Sequence, residues 1–193
     1  MWSFIAPAFR MTLVLTVLTG LIYPAVVTGV AQTLFTSNAH GSLVTAGGKV
    51  VGSALIGQNF AKPEYLHPRP SAAGQAGYDA SASLASNYGP TNQKLIDRVK
   101  ASAAQYRQEN PDHNGPIPAD ALTTSASGLD PHISPANAEI QADRIAKARH
   151  VDVGRVRELI LRTTDRPWLG FIGEPRVNVL LVNLALDEQL PRK

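Results

Sequence analysis

The chain of 193 residues contains no cysteine. That excludes a disulfide framework, a Cys-ligated zinc site, an iron–sulfur cluster and a thiol nucleophile. It leaves the redox compartment undecided, because a cysteine-free chain folds on either side of a membrane. Charge is nearly missing from the first quarter, where residues 1–48 carry one ionised side chain, Arg10. Phosphate-binding patterns are lacking as well. Gly48-Lys49 has Leu43 where GxxxxGK[ST] requires its first glycine and Val50 where it requires a magnesium-binding hydroxyl. GxGxxG, GxSxG and HExxH are absent too. The length suits one domain with an appendage and is too short for a large multidomain enzyme.

What is present begins with a run from Met11 to Phe35 without a single charge. About 20 apolar residues cross a bilayer core, so these suffice with some tilt. A cleavable signal peptide has an apolar region of only about 7–15 residues, which points to a retained transmembrane helix. Arg10 precedes the run and no Lys or Arg follows until Lys49, so the positive-inside rule places the N-terminus in the cytoplasm. The expected organisation is a cytoplasmic N-terminus over 1–10, a transmembrane helix over 11–35 and an extracytoplasmic domain over 36–193. Within the span, Thr16 with Gly20 and Ala25 with Gly29 have the small-xxx-small spacing that lets a partner helix approach closely. Pro24, beside Tyr23, removes one helical hydrogen bond and is expected to kink the helix.

The outer part reads as α+β. Ser42–Thr45 and Lys49–Ile56 are β-prone around Ala46-Gly47-Gly48, a hairpin pattern. Residues 57–90 are rich in Gly, Pro, Ser and Ala and read as a long loop. Thr91 or Asn92 caps a helix to about Asn110, with Leu95, Ile96, Val99 and Ala103 at helical spacing. Ser134-Pro135 starts a helix to about Arg149, and Asp152 caps Val153–Thr164, whose Val156, Leu159 and Ile160 face inward. The tail over 176–186 fits both periodicities, and its β-branched content favours a strand. This gives about three helices and a small sheet.

The net charge is only +3, with charges interspersed, so no basic stripe points to nucleic acid. The densest polar stretch is SASGLDPHIS, from Ser125 to Ser134. Ser, Asp and His this close in sequence read as turn, cap or partner-contact residues, since a catalytic triad converges from separate elements. An ion or small-ligand site using Asp130 and His132, and nucleophilic catalysis, are the rival readings. The other histidines are scattered and read as surface or loop residues.

Several longer segments are specific. They are GSALIGQNF at Gly52–Phe60, Arg69-Pro70-Ser71, Ser86-Asn87, and Gly89-Pro90-Thr91-Asn92. Further on stand SASGLDPHISPANA at Ser125–Ala138, Gln141 just after it, and GEPRVNVLLVNLALD at Gly173–Asp187. In these segments and their order the chain resembles the C subunit of the bacterial Kdp potassium-transporting P-type ATPase. It departs at Leu84-Ala85, where the family usually has a glycine pair, and at Leu66, where an aromatic is frequent before the histidine.

The resemblance implies an inner-membrane complex with a potassium-binding channel-like subunit, a P-type subunit phosphorylated by ATP, and a small membrane peptide. This chain would be its accessory subunit, described for the family as a catalytic chaperone that raises ATP affinity. The phosphorylation sequence Asp-Lys-Thr-Gly-Thr is missing here, so the chain cannot hydrolyse ATP alone. No cofactor of its own is expected, and the ATP belongs to the P-type subunit. Arg69, Ser71, Asn87, Asn92, Ser125, Ser127, Gly128, Asp130, His132, Ser134, Gln141, Glu174, Arg176 and Asn178 lie in the matched segments as candidates for partner contact or loop structure. The alternatives are an envelope enzyme anchored by the span and a secreted binding protein.

Overall fold

The computed structural model describes residues 2–191 and divides after Leu43 into two compact units. The first is one long helical run, made of α1 (Trp2–Val17), a π-helical turn (Leu18–Ile22) and α2 (Tyr23–Leu34). A stretch of 32 residues, Ser3–Leu34, is long and apolar enough to cross a membrane. The helix therefore starts well before Met11, because Ser3–Phe9 is itself apolar, and Arg10 lies inside it. At about 1.5 Å per residue the run exceeds a bilayer core of about 30 Å.

The disturbance expected at Pro24 takes the form of the π turn. Tyr23 N–H donates to the Leu18 carbonyl, five residues back, just ahead of the proline ring that has no N–H to give. A π turn absorbs one extra residue. Gly20 and Ala25, five apart in sequence, thereby come into the register of residues four apart, and Thr16, Gly20, Ala25 and Gly29 approach a single stripe. A short helix, α3 (Thr36–Ala39), follows.

The second unit begins with a hairpin of β1 (Leu43–Ala46) and β2 (Lys49–Ser53). Gly47 and Gly48 have φ of 57° and 75°, the two left-handed central positions of a type I′ turn. Residues 54–92 form no helix or strand, as the Gly/Pro-rich composition indicated. Three helices then fall where the start and stop signals put them. Asn92 caps α4 (Gln93–Glu109), Ser134 caps α5 (Pro135–Arg149), and Asp152 caps α6 (Val153–Thr163), each accepting from a backbone N–H.

The tail corrects the sequence reading. Only β5 (Arg176–Asn178) is extended, and α7 (Val179–Gln189) is a fourth helix of this unit. Asn178 caps it, taking a hydrogen bond from the Leu181 N–H at 3.2 Å. Burial of Val179, Leu180, Val182, Asn183 and Leu186 at helical spacing outweighs the strand preference of the valines. β5 is the middle of a three-stranded antiparallel sheet between β3 (His132–Ile133) and β4 (Thr164–Asp165). Its register pairs Val177 with both Ile133 and Thr164. The described residues thus form two small sheets.

The core lies where α5, α6 and α7 meet that sheet. Ala138, Ala142 and Ile145 pack with Val156, Leu159 and Ile160, and with Val177, Val182 and Leu186. Each large aliphatic side chain removed from water here contributes roughly 1.5–3 kcal/mol. The α4 helix is more lightly held. Its Leu95, Val99 and Ala103 are half-buried, Ile96 is exposed, and Tyr106 is its one buried side chain.

Candidate functional site

The Ser125–Ser134 segment is a lock on the long loop. Asp130 precedes Pro131, which favours an extended backbone and lets its side chain turn back on the chain. One carboxylate oxygen takes a hydrogen bond from Arg69 Nη1 at 2.9 Å, and the other takes the His132 N–H at 3.0 Å. His132 Nδ1 stands 3.4 Å from that second oxygen. Burial alone would raise the Asp130 carboxyl. The His132 hydrogen bonds and the Arg69 guanidinium outweigh it and hold the group below the usual carboxylate range.

Beside it, Ser71 Oγ donates to the Gly128 carbonyl at 2.6 Å and accepts the N–H of Ala73 and Tyr78. Tyr78 in turn donates its hydroxyl to the Arg69 carbonyl. Burial pushes the Tyr78 phenol up, so it stays a donor at all physiological pH. Gly57 N–H reaches the Leu129 carbonyl at 2.7 Å, and the Ser127 carbonyl receives both Leu84 N–H and Ser83 Oγ. Residues far apart in the loop are tied to one ten-residue segment.

A second network fixes the start of α5. Ser134 Oγ accepts the Asn137 N–H at 3.1 Å, as expected of the cap, and also donates to Asp120 at 2.9 Å. Such a cap contributes about 1 kcal/mol. Asn137 is buried and receives Tyr106 Oη and Gln141 Nε2, both at 2.9 Å. Burial, then the Asp120 charge, raises the Tyr106 phenol.

A third network grips residues 62–67. Gln141 exchanges two hydrogen bonds with the His67 backbone, and Asn183 does the same with Leu66. Arg144 reaches the carbonyls of Pro63 and Tyr65, and burial pulls its guanidinium down to about 10, so it remains charged at neutral pH. His67 Nδ1 lies 3.0 Å from Glu109. That hydrogen bond is the chief cause lowering the Glu109 carboxyl. Arg149 is wholly buried and donates to the carbonyls of Glu64, Leu186 and Leu190 and to Asp187. A polar cleft of about 390 Å³ opens between α4 and this loop, with Tyr106, Glu109, His67 and Arg69 among its walls.

Most of the sequence candidates therefore converge, and they converge on folding contacts. Arg69, Ser71, Gly128, Asp130 and His132 form the lock. Ser134 and Gln141 belong to the α5 networks. Ser125 and Ser127 face each other at 3.4 Å, with Ser127 Oγ also receiving Leu129 N–H. Asn178 reaches the Ala54 carbonyl at 2.8 Å besides capping α7. Asn92 is a cap only. Asn87 adopts a left-handed φ of 49°, next to Ser86, which Arg98 contacts at 3.1 Å. Arg176 pairs with Asp165 at 3.5 Å across β4–β5. Thr16, Gly20, Ala25 and Gly29 stand exposed on the apolar helix.

Sequence reasoning missed Tyr106, Asn137, Arg149 and Asn183; His67, read as a surface or loop residue, does lie in the loop, where it also contacts Glu109. Asn137, Gln141 and Arg149 share the core-facing stripe of α5 with Ala138, Ala142 and Ile145. Polar residues at such positions must be partnered, and that was the available signal.

Chemically these networks bind segments of one chain to each other. Asp130 is committed to Arg69 and His132, and the neighbouring serine hydroxyls point at each other and at backbone amides. Among the described residues, no group of three or more His, Asp or Glu could hold a metal ion. The α+β unit follows a helix that is long and apolar enough to cross a membrane. Residues 5–188 match the family described as "KdpC: K+-transporting ATPase, c chain", and the chain belongs to that family. It is 60% identical over 192 residues to a protein of Caulobacter vibrioides named "Potassium-transporting ATPase KdpC subunit", covering 99% of this chain and 96% of that one. Proteins of the same name from Beijerinckia indica and Polaromonas naphthalenivorans are 56% and 50% identical, covering 99% of this chain and 96% and 97% of theirs. The protein is a non-catalytic, membrane-associated accessory subunit of the potassium pump, and the reading as an unrelated envelope enzyme falls.

Proposed function

We propose that the chain is held in the bacterial plasma membrane by its apolar helix, with the N-terminus in the cytoplasm and the α+β unit outside. There it serves assembly of the pump with a potassium-binding channel-like subunit, a P-type ATP-hydrolysing subunit and a small membrane peptide. The observation that carries this reading is the internal use of the polar groups: Asp130, Ser71 and Gln141 are each engaged by hydrogen bonds within this chain. ATP contact through this outer unit would be impossible in that topology. An effect on ATP affinity is then transmitted by shifting the conformational equilibrium of the P-type subunit.

The orientation rests on Arg10, the one ionised side chain of residues 1–48, which lies within the helix toward its N-terminal end. Protease added to spheroplasts should digest the chain beyond Phe35, and protection until lysis would reverse the orientation.

The helix stripe is the proposed membrane contact. A Cβ added at Gly29 meets nothing within 4 Å, and one at Gly20 meets only Thr16 Cγ2 at 4.0 Å. A side chain begun at either position thus meets little else of this chain, and leucine at both is expected to act on a partner. Each such contact is worth on the order of 1 kcal/mol. The double replacement should reduce the yield of intact complex by roughly tenfold or more, and an unchanged yield would show that the helix is only an anchor.

A further inference from the structure

The β4–β5 hairpin ends in a tip that the rest of the fold does not explain. Trp168 and Ile172 exchange two backbone hydrogen bonds of 2.9 Å around Leu169-Gly170-Phe171. Trp168, Leu169, Phe171 and Ile172 are 69%, 65%, 76% and 46% exposed. Leu169 holds a left-handed φ of 53°, a conformation unfavourable for a branched-chain residue, and Gly170 and Gly173 follow at 83° and 92°. Strain kept at an exposed apolar tip marks a shape set for contact. Solvent alone gives no reason to retain four large apolar side chains side by side.

We propose that this tip is an apolar plug that seats in an apolar pocket on the outer surface of another subunit of the pump. The proposal rests on the assembly reading above. Two observations select the occupant. The first is area. An aromatic side chain buries about 150–250 Å², so the four together offer on the order of 500 Å². One side of a standard interface is about 800 Å². The tip is too small to hold a second copy of this chain in solution. It suffices as the centre of a contact with a subunit already held alongside in the membrane, where the second contact is effectively intramolecular.

The second is charge. The tip is flanked by Asp165, Arg166, Glu174 and Arg176, two acids and two bases, with Arg176 paired to Asp165. A loop built for an anionic bilayer surface carries an excess of Lys and Arg. A balanced polar rim around buried aromatics is the anatomy of a protein–protein contact.

The chain has two tryptophans, so a Trp2→Phe chain produced with 7-azatryptophan and joined to unlabelled subunits carries its one red-excited emitter at position 168. Its fluorescence is compared in the whole reconstituted pump and in this chain alone, both in nanodiscs of phosphatidylethanolamine and phosphatidylglycerol. In the whole pump the emission should move to shorter wavelength and quenching by acrylamide should fall at least fivefold. Equal quenching in both preparations would overturn the plug. Quenching of the lone chain by brominated lipid would overturn it in favour of the bilayer.

A second arm uses Trp168→Ser with Phe171→Ser in the otherwise unaltered chain. Both side chains are exposed, so the melting temperature should stay within a degree or two, while recovery with the other subunits falls at least tenfold. Undiminished recovery would overturn the plug and leave the assembly reading standing. Failure of the unaltered chain to co-purify with any pump subunit would overturn both.

Discussion

Replacing Arg149 by Met should lower the melting temperature of the outer unit by roughly 6–12 °C. The guanidinium is fully buried and satisfies three backbone carbonyls, those of Glu64, Leu186 and Leu190, as well as one oxygen of Asp187. Methionine fills comparable space but donates nothing. The carbonyls then remain out of water without partners, at a cost of roughly 3 kcal/mol for breaking a buried network from one side. In a unit of this size 1 kcal/mol corresponds to about 2–4 °C. The Asp187 carboxylate is 42% exposed, so water can replace its partner, and Asp187→Asn should cost under about 1 kcal/mol. Calorimetry of the two full-length variants in detergent decides the matter. A shift of less than about 3 °C for Arg149→Met would show that water reaches those carbonyls and that the buried arginine is not a structural keystone.

The second large effect is expected at Gly128. Its φ of 68° lies in the left-handed region, where a side chain costs about 1–2 kcal/mol. A Cβ there would stand 2.8 Å from the Leu84 carbonyl oxygen and 2.9 Å from the Ala73 nitrogen. Both are backbone atoms and cannot rotate away, so the loop itself must shift, at a further cost of about 1–3 kcal/mol. Gly128→Ala should release the 57–90 loop while the α5–α6 core stays closed. Limited proteolysis within 57–90 should accelerate at least tenfold, as local opening of this cost implies. Gly89→Ala is the control, since its Cβ meets nothing within 4 Å. Equal cleavage rates for the two variants would refute the lock.

Elements with explicit end signals were legible in the sequence. Asn92, Ser134 and Asp152 each stand where a cap was expected, and Gly47-Gly48 turns the hairpin. The tail was misread for a specific reason. Val177, Val179 and Leu181 alternate like a strand, whereas the deciding fact is burial on two sides of α7, a tertiary property that a propensity argument does not contain. Asn178, with Leu181 three residues on, was the local clue to a helix start.

For the candidate site, the motif residues were visible and their mutual contacts were not. The pairing of Arg69 with Asp130 spans 61 residues, and that of Leu66 with Asn183 spans 117. Pairings at such distances are set by topology, not by local spacing. Arg149 was hidden because an arginine at a helix end ordinarily reads as a solvated last-turn charge.

The central claim is that the Ser125–Ser134 segment supports assembly and performs no chemistry. It is tested most directly by purifying pumps that carry Asp130→Asn or His132→Gln. Two quantities are measured separately, the amount of assembled complex and potassium-stimulated ATP hydrolysis per assembled complex. The account predicts less assembled pump, with turnover per complex within a few-fold of normal. Full assembly with turnover reduced about a hundredfold or more, the signature of a lost acid–base group, would contradict it.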